Sequence, residues 1–224
     1  MYEVMDDTAA QVILAMQSGA SIRRVAQQLQ TPYETVRQAV NRLEDAGFVE
    51  YQDGLSITDD HVRVAARDLL APSATVSPPT IEEAYVLPQF GHWPFAFTRI
   101  DAVYVWTRGG YQVGRGPDDY PLFLAVRERD TEIWERFFSS FGLSTAFERQ
   151  PRESVTGPVQ IVLEPRSVLE IEDVEGYPVI PQAETIKYMR ENYAQFQSAL
   201  SMLDRMYEDL DLDVAYRETD RVQS

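Results

Sequence analysis

Apolar residues at helical spacing mark two short segments near the start of the chain. Capping residues at positions 6–8 precede the first segment, 9–16, whose apolar side chains fall on one helical face. Ser21 is the capping residue of the second segment, 22–29, and residues 18–20 interrupt the pattern between them. The spacing therefore predicts two helices. The inward side of the second helix is formed by Ile22, Val25, Ala26 and Leu29.

A third helical segment, 33–46, follows after a tight turn. Pro32 suits the start of this helix, and Gly47 is placed to end it as a left-handed cap. Two short alternating segments, 48–51 and 55–58, then flank an Asp-Gly turn and predict a β-hairpin. The predicted order is helix, helix, tight turn, helix, hairpin. The inward face of the third helix consists of Val36, Ala39, Val40 and Leu43.

This order is that of a winged helix-turn-helix, and residues 21–54 resemble that motif in MarR- or TrmB-like transcriptional regulators. The resemblance includes the positioning helix, the turn, the recognition helix and a closing stretch, 43–49. That stretch is similar to the leucine-x-x-alanine-glycine-leucine-isoleucine pattern of the family. The resemblance implies a transcriptional regulator that binds double-stranded DNA. We expect it to act in the cytoplasm as a homodimer.

The chemistry of the third helix agrees with this function. Recognition helices present their outward residues to base edges, where Gln and Asn pair with adenine and Arg with guanine. Arg23 and Arg24, on the preceding helix, are placed to hold the phosphate backbone, and Gln52 lies at the tip of a wing without arginine. A winged helix that contacts protein rather than DNA is the alternative interpretation. The outward positions of the third helix are Tyr33, Glu34, Thr35, Arg37, Gln38, Asn41 and Arg42.

The charge of the whole chain differs from the charge of this motif. The 224 residues carry 36 acidic and 20 basic side chains, a net charge of −16, which disfavours DNA as a partner. Residues 8–43, however, contain four arginines and one glutamate, a local charge of +3. Lys187 is the single lysine, and an acidic, lysine-poor composition is typical of salt-loving archaea, where molar salt screens self-repulsion. An ordinary acidic protein with a chance deficit of lysine is the alternative.

Composition also suggests where the chain divides. Residues 61–70 predict another amphipathic helix, and residues 72–80 are rich in proline and serine. We therefore expect a DNA-binding domain over 1–71, a linker over 72–80 and a second domain over 81–224.

In the second domain, apolar runs predict strands at 102–107, 120–126 and 159–164, with a hairpin turn at 108–111. A helix is predicted over 130–141. The expected fold class is α+β: a winged helix-turn-helix, then an α+β domain with an antiparallel or mixed sheet and a long C-terminal helix.

That C-terminal helix is predicted over 183–210, where apolar residues recur at spacings of three and four. Packing against the sheet and pairing with a second copy both explain the pattern. The polar residues 211–224 are expected to fray.

Several kinds of chemistry are excluded or disfavoured. The absence of cysteine excludes disulfides and thiol catalysis, and His61 and His92 are too few for a histidine-rich metal centre. The glycines at 109–110 and 114–116 fit hairpin turns better than a phosphate loop, and the acid pairs at 82–83 and 118–119 fit a solvated surface. No segment predicts a membrane helix or a signal peptide. We expect no enzyme activity, cofactor or metal, and an enzyme with an appended wing is the alternative.

Residues 95–107 resemble the tyrosine-x-phenylalanine-threonine-glycine-x-x-alanine segment of AbiEi-type antitoxins, with Arg99 where that pattern has glycine. The resemblance implies a second domain that neutralises a nucleotidyltransferase toxin while the wing represses its own operon. Aromatic residues in this region predict either a pocket for an apolar effector or a packed core. They are Trp93, Phe95, Phe97, Tyr104, Trp106 and Tyr111.

Overall fold

The three predicted helices and the hairpin are present in the computed structural model of the chain. Helices α1 (Asp7–Ala15), α2 (Ile22–Gln28) and α3 (Tyr33–Asp45) precede strands β1 (Val49–Tyr51) and β2 (Leu55–Ile57). The inward faces predicted for α2 and α3 are buried. The structure describes residues 4–76, 79–111, 115–116, 119–149, 157–207, 210 and 212.

Local capping explains where these helices begin and end. The Ala9 amide donates to the Asp6 carboxylate (2.7 Å) at the start of α1. The Arg24 amide donates to the Ser21 hydroxyl (3.2 Å) at the start of α2. Gly47 follows α3 with a φ of 76°, as predicted for a left-handed C-terminal cap.

The hairpin is joined to the loop between α1 and α2. The Gly19 amide donates to the Leu55 carbonyl, and the Leu55 amide donates to the Ala20 carbonyl, both at 2.9 Å. Gly54 has a φ of 134°, and a Cβ atom placed there would lie 2.6 Å from the Gly19 carbonyl oxygen. Glycine is therefore required at this turn, for its backbone conformation and for the close approach.

Helix α4 (Asp60–Val76) is longer than the predicted 61–70, because it continues through Pro72 into the expected linker. Residues 77–78 of that linker lie outside the described residues. At the end of the linker, the Thr80 side chain and Glu83 form a capping box that starts α5 (Ile81–Val86). The division into domains at 1–71 and 81–224 stays a prediction.

Helix α1 is buried on nearly all sides, rather than on the single face that the sequence predicted. It packs against α3, α4 and a 3-10 turn at Leu87–Phe90, which belongs to the later part of the chain. The apolar residues of the two parts consequently form one continuous core.

The later part contains a mixed sheet in its described residues. The strands are β3 (Phe95–Phe97), β4 (Tyr120–Arg127), β5 (Ser144–Ala146), β6 (Val159–Arg166), β7 (Glu172–Val174) and β8 (Tyr177–Val179). Their order in the sheet is β5-β6-β4-β3-β8-β7. Central β4 is parallel to β6 and antiparallel to β3. The strands predicted at 120–126 and 159–164 are confirmed, and β3, β5, β7 and β8 are additional.

Helices cover this sheet, and the α+β fold class is confirmed. Helix α7 (Thr131–Ser140) agrees with the prediction over 130–141, and Gly142 follows it with a φ of 70°. The remaining helices are α6 (Arg99–Trp106), α8 (Gln182–Glu191) and α9 (Tyr193–Met206). No helix of the described residues is both long and apolar enough to cross a membrane.

The strand predicted at 102–107 is wrong, because these residues belong to α6. Their β-branched and aromatic content favoured a strand. The helix is buried almost all round, with Ala102, Val103, Val105 and Trp106 each at most 7% exposed. A helix enclosed on every side lacks the polar face that would reveal its period.

The hairpin turn predicted at 108–111 is also wrong, since this segment ends α6. Arg108 (φ 51°) and Gly109 (φ 78°) both adopt left-handed conformations. The Gly109 amide donates to the Tyr104 carbonyl (2.8 Å), which closes the last turn of the helix. Residues 112–114, expected to follow the turn, lie outside the described residues.

The single helix predicted over 183–210 is broken into α8 and α9 at Asn192. This residue has φ −117° and ψ 40°, and its side-chain amide donates to the Tyr188 carbonyl (2.9 Å). An asparagine side chain that competes for a backbone carbonyl in this way interrupts a helix. Residues 208–209 lie outside the described residues, as do 211 and 213–224, where fraying was expected.

A buried polar cluster holds α6 against β4. The Arg115 guanidinium pairs with the Asp101 carboxylate (2.5 Å) and lies 4.1 Å from the centroid of the Tyr120 ring. The Tyr85 hydroxyl also donates to Asp101, and the Phe123 amide does so at 2.7 Å. Burial and the Asp101 charge raise the pKa of Tyr85, so its hydroxyl keeps its proton.

Candidate nucleic-acid interface

Helix α3 has one buried and one exposed side. Val36, Ala39, Val40 and Leu43 are at most 1% exposed and pack toward α1 and α2. The seven outward residues predicted from the sequence are all exposed, and the spacing of 34, 37, 38 and 41 places those four on a single face. The exposed side of α3 is therefore a continuous polar surface.

Glu34 organises the middle of this surface. Its carboxylate accepts hydrogen bonds from both Nη2 (2.6 Å) and Nε (2.9 Å) of Arg37. Gln38 donates to the same carboxylate at 3.3 Å. The hydrogen bonds from Arg37, and to a lesser extent the one from Gln38, hold the pKa of Glu34 below its usual value. The side chains proposed to meet guanine and adenine thus start in a defined arrangement.

Two further arginines of this region pair with carboxylates outside the motif. Arg42 contacts Asp6 (3.0 Å), and Arg24 contacts Asp173 (2.6 Å). Partial burial opposes ionisation of Asp6, but the Ala9 amide and Arg42 hold its pKa below the usual value. Arg23 is exposed on α2. The local charge of +3 counted from the sequence is therefore reduced by acids that are distant in sequence.

A family model described as a helix-turn-helix domain matches residues 10–56. The match begins inside α1 and ends in β2, so it covers the three helices and the hairpin. Residues 10–56 form a helix-turn-helix domain. No curated protein and no solved structure matches the chain.

The hairpin that follows the helix-turn-helix is a short wing. Its two strands pair in the register Val49↔Ile57, and Gln52 is exposed at the turn between them. The Thr58 hydroxyl donates to the Gly47 carbonyl (2.8 Å), which ties the base of the wing to the end of α3. The wing and α3 are consequently positioned together.

The helix-turn-helix also contacts the hairpin formed by β7 and β8, which the sequence did not predict. Gln30, in the turn before α3, donates to the Tyr177 hydroxyl (2.6 Å). Buried Gln28 donates to Gln89, which donates to the Gly176 carbonyl. Only the tertiary structure brings this hairpin to α2, because nothing in the local sequence around 173 or 177 indicates a partner.

The six aromatic residues predicted to line an effector pocket are spread over several places. Trp93 and Phe95 pack edge-on against Trp134 and line a cleft of about 500 Å³ that also includes Arg24 and Asp173. Tyr104 lines a different cavity, of about 260 Å³.

The other three are Phe97, Trp106 and Tyr111. Phe97 is fully buried between Tyr85 and Phe95, and Trp106 packs against Tyr207. Tyr111 packs against the ring of Phe196. An effector pocket built from all six stays a prediction.

The cleft beside α2 contains a histidine and an arginine in contact. Nη1 of Arg63 approaches both ring nitrogens of His92, and Nη2 donates to the Met16 carbonyl (3.1 Å). Partial burial of the ring lowers the pKa of His92, and the positive charge of Arg63 lowers it further. Within the described residues, no group of three or more acidic or histidine side chains is placed to hold a metal ion.

Proposed function

We propose that the chain is a sequence-specific, DNA-binding transcriptional regulator that acts in the cytoplasm as a homodimer. The observation that carries this proposal is the exposed polar face of α3 inside a helix-turn-helix domain. In such domains the second helix of the motif enters the major groove, and its exposed side chains meet base edges.

The side chains divide into base and phosphate contacts. Arg37 has the fork that pairs with guanine, while Gln38 and Asn41 carry the amides that pair with adenine. Glu34 orients Arg37 before binding and is itself able to accept from cytosine. We assign the remaining residues to the backbone and the wing: Arg23, Arg24, Tyr33, Thr35, Arg42 and Gln52.

The second part of the chain supplies sensing or assembly in this proposal. A homodimer presents two recognition helices about 34–36 Å apart, so its binding sites should be palindromic. The acidic, lysine-poor composition would suit a high-salt cytoplasm, and at molar salt hydrogen bonds must supply the affinity that counterion release no longer provides. No contact within the described residues favours the toxin-neutralising alternative, which stays a prediction from the resemblance.

Genome-wide mapping of bound DNA at native salt tests the proposal. We expect enriched palindromic sites for the wild type. R37A and Q38A should each weaken binding to a recovered site about tenfold or more, since each removes a base contact. R136A, an exposed arginine on α7, makes the same charge change as R37A and should bind like the wild type.

Melting temperatures complete this experiment. Because Arg37 and Gln38 are exposed, neither substitution should lower the melting temperature. An absence of enriched sites would contradict the proposed function. Equal weakening in R136A would show that charge alone, rather than the face of α3, governs binding.

A further inference from the structure

The hairpin formed by β7 and β8 lies against the helix that precedes the recognition helix. Three contacts join them: Asp173 to Arg24, Tyr177 to Gln30, and Gly176 to Gln28 through Gln89. The fit is close, because a Cβ atom on Gly176 would lie 3.3 Å from Cγ of Gln28. The hairpin therefore packs on α2 and on the turn before α3.

This hairpin is strongly acidic. Residues 167–180 contain four acidic side chains and no basic one. Two of the four make ion pairs in the structure, Asp173 with Arg24 and Glu175 with Arg108 (3.3 Å). Glu172, next to Asp173, is exposed. Asp173 thus places a negative charge against the helix that is proposed to hold a DNA phosphate.

The carboxylate of Asp173 is held in position before it meets Arg24. Oδ1 accepts the Gly176 amide (3.1 Å), while Oδ2 accepts Nη2 of Arg24 at 2.6 Å. The turn of the hairpin therefore orients the acid, which presents one free oxygen to the guanidinium. A carboxylate oxygen and a phosphate oxygen make the same charge-assisted hydrogen bond to arginine.

We propose that the β7–β8 hairpin restrains DNA binding, because Asp173 occupies the Arg24 guanidinium that would otherwise hold a backbone phosphate. This inference rests on the proposed function. DNA must compete with Asp173 for Nη2 and for the charge of Arg24. A signal that moves the hairpin away from α2 increases affinity for all sequences, since phosphate contacts do not depend on base identity.

Two neighbouring acids provide a matched test. D173N removes the charge that pairs with Arg24 but keeps an oxygen for the Gly176 amide. E172Q makes the same change in net charge one residue away. Because the contact depends on phosphate, a labelled mixed-sequence duplex of about 30 base pairs suffices, with affinity measured by anisotropy at about 0.15 M salt.

We expect D173N to bind this duplex about 1.5- to fivefold more tightly than E172Q, the range for release of one partly exposed ion pair. In an R24Q background the two substitutions should give equal affinities, because the competition is gone. Urea unfolding of each variant checks that the hairpin change leaves the chain folded.

The outcomes separate the two proposals. If the wild type binds duplex DNA and D173N and E172Q bind equally, the restraint is absent and the inference is overturned. Weaker binding by D173N than by E172Q also overturns it, since Asp173 would then position Arg24 for DNA. If the wild type binds neither this duplex nor any genomic site, the proposed function itself fails.

Discussion

At the scale of single residues, the two histidines show how surroundings set chemistry. His61 is exposed and shares a hydrogen bond with Asp59, whose contact and charge raise the pKa of His61. The ring of His92 is partly exposed, but the protein around it and the guanidinium of Arg63 disfavour its protonation. The sequence alone showed two histidines and no difference between them.

Because their pKa values shift in opposite directions, the two histidines should make the stability of the protein depend on pH in opposite ways. The unfolded state binds a proton at His92 more readily than the folded state does. The free energy of unfolding therefore decreases as the pH falls below about 6.5, where His92 becomes protonated in the unfolded chain. H92Q should therefore lose less stability than the wild type between about pH 7 and pH 5. Urea denaturation at several pH values measures this difference.

H61Q is the matched control. The raised pKa of His61 stabilises the folded state at low pH, and this stabilisation is lost as pH rises. H61Q should therefore lose slightly more stability than the wild type between about pH 7 and pH 5, which is the opposite of the change expected for H92Q. An H92Q variant as acid-sensitive as the wild type would show that His92 does not titrate against Arg63.

At the scale of elements, local signals predicted the helix-turn-helix well. Caps at Ser21 and Gly47, apolar residues at helical spacing and an Asp-Gly turn each act within a few residues. The same approach mistook α6 for a strand, because a helix buried on every side has no amphipathic period. It also joined α8 to α9, because the break depends on one side chain, that of Asn192.

Gly54 lies where the wing contacts the α1–α2 loop, and Gly47 lies at the end of α3. G54A forces a Cβ atom to within 2.6 Å of the Gly19 carbonyl oxygen and also strains a φ of 134°. G47A strains a φ of 76° but meets no atom within 4 Å. We expect G47A to cost about 1–2 kcal/mol of unfolding free energy and G54A clearly more.

Urea unfolding followed by circular dichroism distinguishes the two variants. G47A reports backbone strain alone, whereas G54A combines a stronger backbone strain with the collision. Equal destabilisation would show that the wing does not press against the α1–α2 loop.

At the scale of the whole molecule, charge is the dominant feature. A net charge of −16 repels itself, and added salt shortens the screening distance from about 10 Å at 0.1 M to about 3 Å at 1 M. The melting temperature at neutral pH should consequently rise as KCl is increased over this range. Near the isoelectric point of about 4.5 the net repulsion vanishes, so KCl should have little effect.

Differential scanning fluorimetry at the two pH values checks this expectation. A melting temperature that is independent of KCl at neutral pH would contradict it, and would favour an ordinary acidic protein with few lysines. The same series is the control for salt effects in the binding experiments.

What the sequence determined by itself was the helix-turn-helix, its wing and the outward residues of α3. Each depends on contacts between residues close in the chain, where periodicity and capping leave a visible pattern. The tertiary structure decided the partners of Arg24 and Arg42, the spread of the aromatic residues and the position of the β7–β8 hairpin on α2. These depend on residues far apart in sequence, and Asp173 lies 149 positions from Arg24. Since only folding brings such charges together, the sequence showed a basic motif, whereas the structure shows Arg24 and Arg42 of that motif already paired with distant acids.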